Sequence, residues 1–460
     1  MSTLNLSLFD KSVAFTLILM GLITALIVWR GSQVGVQIVS ITPADGATDV
    51  STRAEIEITF DKIMSGAVDD IPFAFEPPIG GSIRWDGSRL IFSPDTAFDQ
   101  NTTYRVSLTD QFFSQSGRLL LDQPSWQFQT GQIRLLYIAP VANSGNQLFT
   151  MNPFNPDEAP LQLTQEPQGV FDYALSFDGA MIAFSALHED GRSDLKIVPA
   201  DASRSPTMLL ECGEAECTGV AWMPDGQRLI YERRNIPTPF AAPGPSRLWW
   251  LNLDSSETMV VFDDTQNLGY GARWSSGGEW FSYVAPASEV VQLYNIHDGR
   301  NVVIPSRLGE IAEWNPQGDM LLVPEIQRSE TGGFAVHLVR SKPDSGQLQD
   351  ISGEGMAVED TSPKWSPDGA WIVLTRKTSG TTMGKQLWLM RPDGSESRQL
   401  TDESQVHHSF PVWSPDGRYL AYQRYSLEEV DARPSLWLLD VESGDARELM
   451  TPGFRPTWLP

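Results

Sequence analysis

Between Gln37 and Thr130 apolar and polar residues alternate in short bursts separated by turn residues. In Glu55-Ile-Glu-Ile-Thr-Phe60, Ile56, Ile58 and Phe60 fall on one face and Glu55, Glu57 and Thr59 on the other. That is the period of a strand with one side buried. Arg89-Leu-Ile-Phe-Ser93, which follows the turn Asp86-Gly87, alternates in the same way, as do Thr103-Tyr-Arg-Val-Ser-Leu108 and Trp126-Gln-Phe-Gln-Thr130. Strands of this length in one segment predict a small β-sandwich. Asn101-Thr-Thr103 has the form of a glycosylation sequon, but it reads as a polar turn. Ahead of this segment the pattern is different. Val13 to Trp29 carries no charge over 17 residues, which at about 1.5 Å per residue gives a helix of roughly 25 Å. The expectation is an uncleaved membrane anchor, because the apolar run outlasts the core of a signal peptide and no Ala-x-Ala-like site follows it. Trp29 and Arg30 suit the headgroup layer. The chain is accordingly divided into a cytoplasmic tip and transmembrane anchor (1–30), a linker (31–36), the sandwich (37–130) and a repeat region (131–460). The expected location is the cell membrane, single-pass, with the C-terminal bulk outside the cytoplasm.

From residue 131 onward one pattern recurs. Trp365-Ser-Pro-Asp-Gly369 and Trp413-Ser-Pro-Asp-Gly417 are complete, and Leu175-Ser-Phe-Asp-Gly179, Trp222-Met-Pro-Asp-Gly226, Trp274-Ser-Ser-Gly-Gly278, Trp314-Asn-Pro-Gln-Gly318 and Trp458-Leu-Pro460 are degraded copies. Successive positions differ by 47, 52, 40, 51, 48 and 45 residues, a spacing that points to propeller blades. One unit runs through Ser362-Pro-Lys-Trp365, Trp371-Ile-Val-Leu-Thr375, Lys385-Gln-Leu-Trp-Leu-Met390 and Ser397-Arg-Gln-Leu-Thr401, four strands in succession. Proline presets φ for the turn, aspartate bonds N–H groups ahead of it, and glycine takes the positive φ. The motif residues Trp222, Asp225, Gly226, Trp274, Trp314, Trp365, Asp368, Gly369, Trp413, Asp416, Gly417 and Trp458 are therefore read as structural. Where the motif degrades, as at Leu175 or Gln317, the turn is expected to be weaker. Arg134-Leu-Leu-Tyr-Ile138, Asn146-Gln-Leu-Phe-Thr150 and Leu161-Gln-Leu-Thr164 match a unit that lacks its first strand, while Phe454-Arg-Pro-Thr-Trp458 is a first strand with nothing after it. Joining the two ends gives an all-β chain with a seven-bladed propeller closed by a shared blade, which also protects strand edges.

Two resemblances attach to these residues. Ser40-Ile-Thr-Pro-Ala-Asp-Gly-Ala-Thr-Asp-Val50, Ile58-Thr-Phe-Asp-Lys62, Tyr104 and Trp126-Gln-Phe-Gln-Thr130 resemble bacterial Ig-like domains of S-layer and other surface proteins. That resemblance implies a spacer or adhesion module. Trp-Ser-Pro-Asp-Gly, with endings such as Arg398-Gln-Leu-Thr401, resembles the TolB-like β-propeller repeats, which are WD-repeat-like, over roughly residues 131 to 460. It implies a propeller that binds proteins of the cell envelope. TolB has six blades, so a count of seven does not carry its particular partners across. Related repeats accompany serine peptidases, but this chain has no Gly-x-Ser-x-Gly elbow.

Charge and candidate chemistry narrow the function. With 33 basic against 58 acidic residues the formal charge is -25, which repels nucleic acid in the absence of a basic stripe. The two cysteines, Cys212 and Cys217, enclose Gly-Glu-Ala-Glu. They are read as a local disulfide rather than a metal site, which needs more ligands. Length variation concentrates in the loops opposite the Pro-Asp-Gly turns. Asn235 to Ser246, with Pro237, Pro239, Phe240 and Pro243, is the candidate recognition loop. The Cys212–Cys217 loop and His407-His408 are expected on the same face. Propeller lyases acting on acidic sugars use histidines and a metal, but the five histidines here show no ligand spacing. The expected function is an extracytoplasmic binding or scaffold protein, anchored by one helix, whose partner is an envelope protein or wall glycan. No cofactor, metal or catalytic residue is assigned. A polysaccharide lyase or hydrolase and a purely structural or adhesive surface protein are the alternatives.

Overall fold

The computed structural model describes residues 13, 15–24, 35–65, 72–109, 112–120, 124–328, 333–353, 356–378, 380 and 382–459. They fall into two compact units. One takes in 54–95 and 102–129 with the residues up to 50, and the other takes in 51–53, 96–101 and everything from 130 onward.

The first unit is a sandwich. One sheet orders its strands Ile38–Thr42, Ile56–Phe60, Arg89–Pro94, Gly81–Asp86, and the other Ala47–Val50, Ser125–Thr130, Thr103–Leu108, Phe73–Glu76. The alternation seen in the sequence sets which faces meet. Ile56, Ile58 and Phe60 are buried, as are Leu90, Phe92, Tyr104, Val106, Trp126 and Phe128. Asn101 sits in a turn at positive φ (52°).

The expected membrane anchor is corrected here. Residues 15–24 are helical, about 15 Å of helix against a hydrocarbon core of about 30 Å. Among the described residues no helix is long and apolar enough to cross a membrane. Most of the rest of the expected tip and span, residues 1–12, 14 and 25–30, lies outside the described residues. The expected single-pass location in the cell membrane is corrected with the anchor.

The second unit is a succession of antiparallel sheets. Five have four strands: 170–210, 215–260, 270–305, 406–450, and the sheet ordered Leu161–Gln162, Gly145–Met151, Arg134–Val141, Phe454–Leu459. An eight-stranded sheet covers 313–399, where two meanders are joined by one parallel pair, Val336 and Glu359. The C-terminal strand lies against the strand at the start of the unit, with Arg134 opposite Leu459, Leu135 opposite Trp458, and Ile138 opposite Phe454. Apolar clusters fill the gaps between successive sheets. Leu195, Trp222 and Tyr231 join two of them, Trp280, Leu293 and Trp314 two more, and Leu135, Leu438 and Trp458 join the last to the first. The first strands of successive four-stranded meanders are packed side by side from Val170–Leu175 to Phe454–Leu459. Tyr173 in the strand Val170–Leu175 donates its hydroxyl to the Arg455 carbonyl, so this succession returns to its start.

Candidate functional site

The motif turns are built by serine as much as by aspartate. In the copy at 365–369, the Asp368 carboxylate accepts the Ser366 hydroxyl and the Ala370 N–H at 3.0 Å, while the Ser366 oxygen accepts the Trp371 N–H at 2.9 Å. Gly369 closes the turn at φ 71°. Ser414, Asp416, Arg418, Tyr419 and Gly417 repeat this arrangement. At 176–180 the same bonds form although Leu175 replaces tryptophan: Asp178 accepts the Ala180 N–H at 3.0 Å and Ser176 the Met181 N–H at 2.9 Å. Loss of the tryptophan there leaves the turn intact, contrary to the expectation of a weaker one, because these bonds belong to the turn residues alone. At the other degraded copies, Asp225 accepts the Gln227 N–H, and Asn315 accepts the N–H groups of Asp319 and Met320. Gly226, Gly278 and Gly318 keep positive φ.

The tryptophans tie neighbouring sheets. Trp222, Trp314, Trp413 and Trp458 donate their indole N–H to the carbonyls of Ala174, Arg273, Lys364 and Val412, each on the first strand of the sheet before. Trp274 and Trp365 are equally buried, but among the described residues their indole nitrogens have no hydrogen-bond partner.

Three residues before five of the six motif tryptophans, all but Trp314, lies a feature that motif reading missed. Gly219, Gly271, Ser362, Phe410 and Arg455 have φ of 61°, 67°, 51°, 50° and 47°. Register shifts mark bulges at the first four positions. A bulge re-aims a side chain and is often found beside a functional site. A side chain of the preceding sheet accepts the N–H at three of them: Asp172 takes Gly219 at 2.6 Å, Glu232 takes Gly271 at 2.8 Å, and Gln423 takes Arg455 at 3.3 Å. At the fourth, the Glu310 carboxylate is hydrogen-bonded to the Ser362 backbone. The spacing to tryptophan is visible in the sequence, but glycine occupies only two of the five positions.

Six groups whose proton affinity is shifted by burial lie toward the same end of these strands. Burial pushes the carboxyls of Asp172, Glu232 and Glu310 up. Burial pulls the Lys385 amine down, against the attraction of Glu310, Glu359 and Asp360, while its Nζ donates to the Thr361 hydroxyl. Burial also takes His407 down to about 4, with Lys385 adding to the effect. His408 is pulled down by burial, while the Lys385 carbonyl and Glu403 carboxylate at its two ring nitrogens act the other way. Such displacement concentrates at functional sites, although structural networks produce it too. Among the described residues no three of His, Cys, Asp and Glu are grouped to hold a metal ion. The histidines have separate partners: His188 bonds Asp194 at 2.9 Å, and His337 bonds Asp350 at 2.6 Å and the Met356 carbonyl at 2.8 Å.

Cys212 and Cys217 are bonded, with Cα atoms 6.3 Å apart, and both are buried. Asp194 accepts the Cys212 N–H and Ser193 the Cys217 N–H, which pins the loop to the neighbouring sheet. In the 235–246 loop Pro237, Pro239 and Pro243 are exposed and the Phe240 ring is 79% exposed. The Phe240 N–H bonds the Asp190 carbonyl and the Ile236 carbonyl accepts the Arg192 guanidinium, so the backbone is held while the ring stands out. Pro243 also borders a cavity of about 320 Å³ with Arg234, Leu268, Tyr270 and Pro286.

Residues 32–130 match the family described as bacterial Ig-like domain. An uncharacterized protein of Agrobacterium fabrum is 32% identical over 141 residues, 30% of this chain and 44% of that protein. The chain spans less than half the length of the curated relatives it matches. TolB from Acinetobacter baumannii aligns with a TM-score of 0.43 and 14% identity over 85% of this chain and 83% of that one. A prolyl endopeptidase structure aligns with a TM-score of 0.51 and 14% identity over 76% of this chain and 48% of that one, a likeness of fold. Residues 32–130 are a bacterial Ig-like domain, and TolB proteins and a prolyl endopeptidase are among the solved structures the chain resembles.

Proposed function

We propose that this chain is a binding scaffold, an Ig-like domain together with a seven-bladed β-propeller that receives a protein partner on the face opposite its Pro-Asp-Gly turns. The count of seven takes the eight-stranded sheet as two blades, since a single parallel pair joins its halves, and takes 454–459 as the strand that closes the ring. In successive antiparallel meanders, the first-to-second and third-to-fourth turns share one end of the sheets and the other connections share the opposite end.

The observation that carries the reading is the gathering of exposed apolar side chains in the loops and first strands at one end. At the end opposite the motif turns stand Phe240, Phe334, Met356, Met383, Leu427 and Val430, with exposures from 38% to 100%. Phe171, Ile311 and Phe410, at 46%, 38% and 47%, lie three or four residues before the tryptophan position, about 10 to 13 Å back from the turn end. Among the described residues the motif-turn end presents Phe177 in a first-to-second turn, and Leu161, Met208, Met259 and Leu348 are exposed at the starts of fourth, edge strands. Apolar side chains gathered on one face mark an interaction surface, and propeller loops on a rigid ring favour recognition. The buried groups Asp172, Glu232, Glu310, Lys385 and His407 sit toward the same face.

The test is crosslinking capture with the full chain, beside Phe171→Ser/Phe410→Ser and Phe177→Ser variants matched in thermal melting. The reading expects a reproducible partner to be lost from the first variant and kept by the second. Equal capture by all three discards it.

A further inference from the structure

We propose that the partner reaches this face with a basic, amphipathic polypeptide segment, docked on Phe410 and the 427–434 connection; this rests on the protein-binding reading above. The connection joins the strands Tyr419–Ser426 and Ser435–Asp440. It begins Leu427-Glu-Glu-Val-Asp431, with Leu427 38% and Val430 fully exposed. Glu428, Glu429 and Asp431 are exposed, and their carboxylates have no ion-pair partner among the described residues. Phe410, in the first strand of the same sheet, is turned out by its bulge and is 47% exposed. Along 427–431 apolar and acidic side chains are thus interleaved, and Phe410 stands on the first strand of the same sheet. The complement is a segment that interleaves apolar side chains with Lys or Arg.

Charge and apolarity decide different things. In the described connections at this end the basic residues are Arg192, Arg307, Lys385 and Arg433. Three are already engaged: Arg192 with the Ile236 carbonyl, Arg307 with Glu325, and Lys385 with Thr361. Acidic residues outnumber them several-fold, so the field draws cations and repels phosphates and anionic lipid. The motif-turn end is acidic as well, with Asp178, Asp225, Asp298 and Asp368 among others, so charge alone selects no face. The apolar side chains favour this connection, because Leu427 and Val430 are interleaved with Glu428, Glu429 and Asp431 and gain by being covered together with them.

The probe is a short labelled peptide of alternating Lys and Leu, read by fluorescence anisotropy against the full chain. A Gln-for-Lys version and an oligolysine of equal length are the controls. The proposal expects the alternating peptide to bind best and to weaken with salt. E428Q/E429Q/D431N is expected to cost about tenfold in affinity, from three modest exposed pairs, and F410S/V430S to cost at least as much. D254N/E257Q/E442Q, an equal change of charge at the turn end, is expected to leave affinity unchanged. Oligolysine binding as tightly as the alternating peptide, or equal losses in the two charge variants, would mean attraction to a diffuse field and overturns the proposal. Should crosslinked partner capture depend on Phe410 while peptide binding does not, this inference falls and the scaffold reading stands. Should neither depend on Phe410, both fall.

Discussion

Trp458→Ala tests whether the C-terminal strand closes the ring as an equal member. Trp458 is 6% exposed, packs with Leu135, Tyr137 and Leu438, stacks on Phe154 at 6.2 Å and donates its indole N–H to Val412 at 3.1 Å. A buried tryptophan covers roughly 150 to 250 Å², which at about 25 cal/mol per Å² is about 4 to 6 kcal/mol. Measured Trp→Ala losses of about 3 to 5 kcal/mol agree, and the lost hydrogen bond adds about 1 kcal/mol. With an unfolding entropy of about 2.1 cal/mol/K per residue over the unit from 130 onward, a loss of about 4 kcal/mol lowers the melting temperature by about 6 °C. Scanning calorimetry on the full chain reads this directly. Trp222→Ala is the internal standard, because Trp222 is buried alike and bonds Ala174 at 3.0 Å. A Trp458→Ala melt within about 1 °C of the parent, beside a clear drop for Trp222→Ala, would refute closure through this strand. Deleting 454–460 removes Phe454 and Leu459 as well, with the pairs to 134–138, and is expected to lower the melt further than either substitution.

Reduction of the Cys212–Cys217 bond releases a short loop and is expected to cost about 2 kcal/mol on chain entropy; melts with and without reductant should differ for the parent and coincide for Cys212→Ser/Cys217→Ser. Gly219→Ala places a Cβ 2.1 Å from the Glu232 carboxylate at a φ of 61°. A melt showing less than about 1 kcal/mol of loss would contradict the strain expected of that position. His337 has its value raised, first by Asp350 and then by the Met356 carbonyl, with Asp360 adding to the effect. Its stabilisation is therefore full below the unfolded value of 6.5 and is lost as pH rises through the raised folded value. Melting curves from about pH 6 to about pH 9 should fall more steeply for the parent than for His337→Gln, and parallel curves would remove His337 from the account. Ser366→Ala leaves the Trp371 N–H without its acceptor and is expected to cost about 1 to 2 kcal/mol, checked by urea unfolding.

Legibility followed the range of the forces. The turn at Ser366, Asp368 and Gly369 is made within five residues, so its chemistry is written where it acts. The same holds for the alternation of Ile56, Ile58 and Phe60, which names a buried face before the partner sheet is known. The positive φ at Ser362, Phe410 and Arg455 was not legible, since no local residue type demands it. It is stabilised by contacts from the neighbouring sheet, such as Gln423 accepting the Arg455 N–H. The anchor was read from hydropathy alone, and among the described residues no helix is long and apolar enough to cross a membrane. Phe240 was legible as a loop residue, but whether its ring folded back or stood out depended on the tether between its N–H and Asp190.

The sequence by itself determined the order of the strands, the turns that separate them, and the pairing of Phe454–Leu459 with the incomplete unit that starts at Arg134. Tertiary structure alone decided which apolar side chains stay uncovered, which carboxylates are buried against which N–H groups, and which end of the sheets Phe171, Ile311 and Phe410 share. Turn and strand preferences are properties of a few consecutive residues, whereas exposure is a property of what the neighbouring sheet leaves bare.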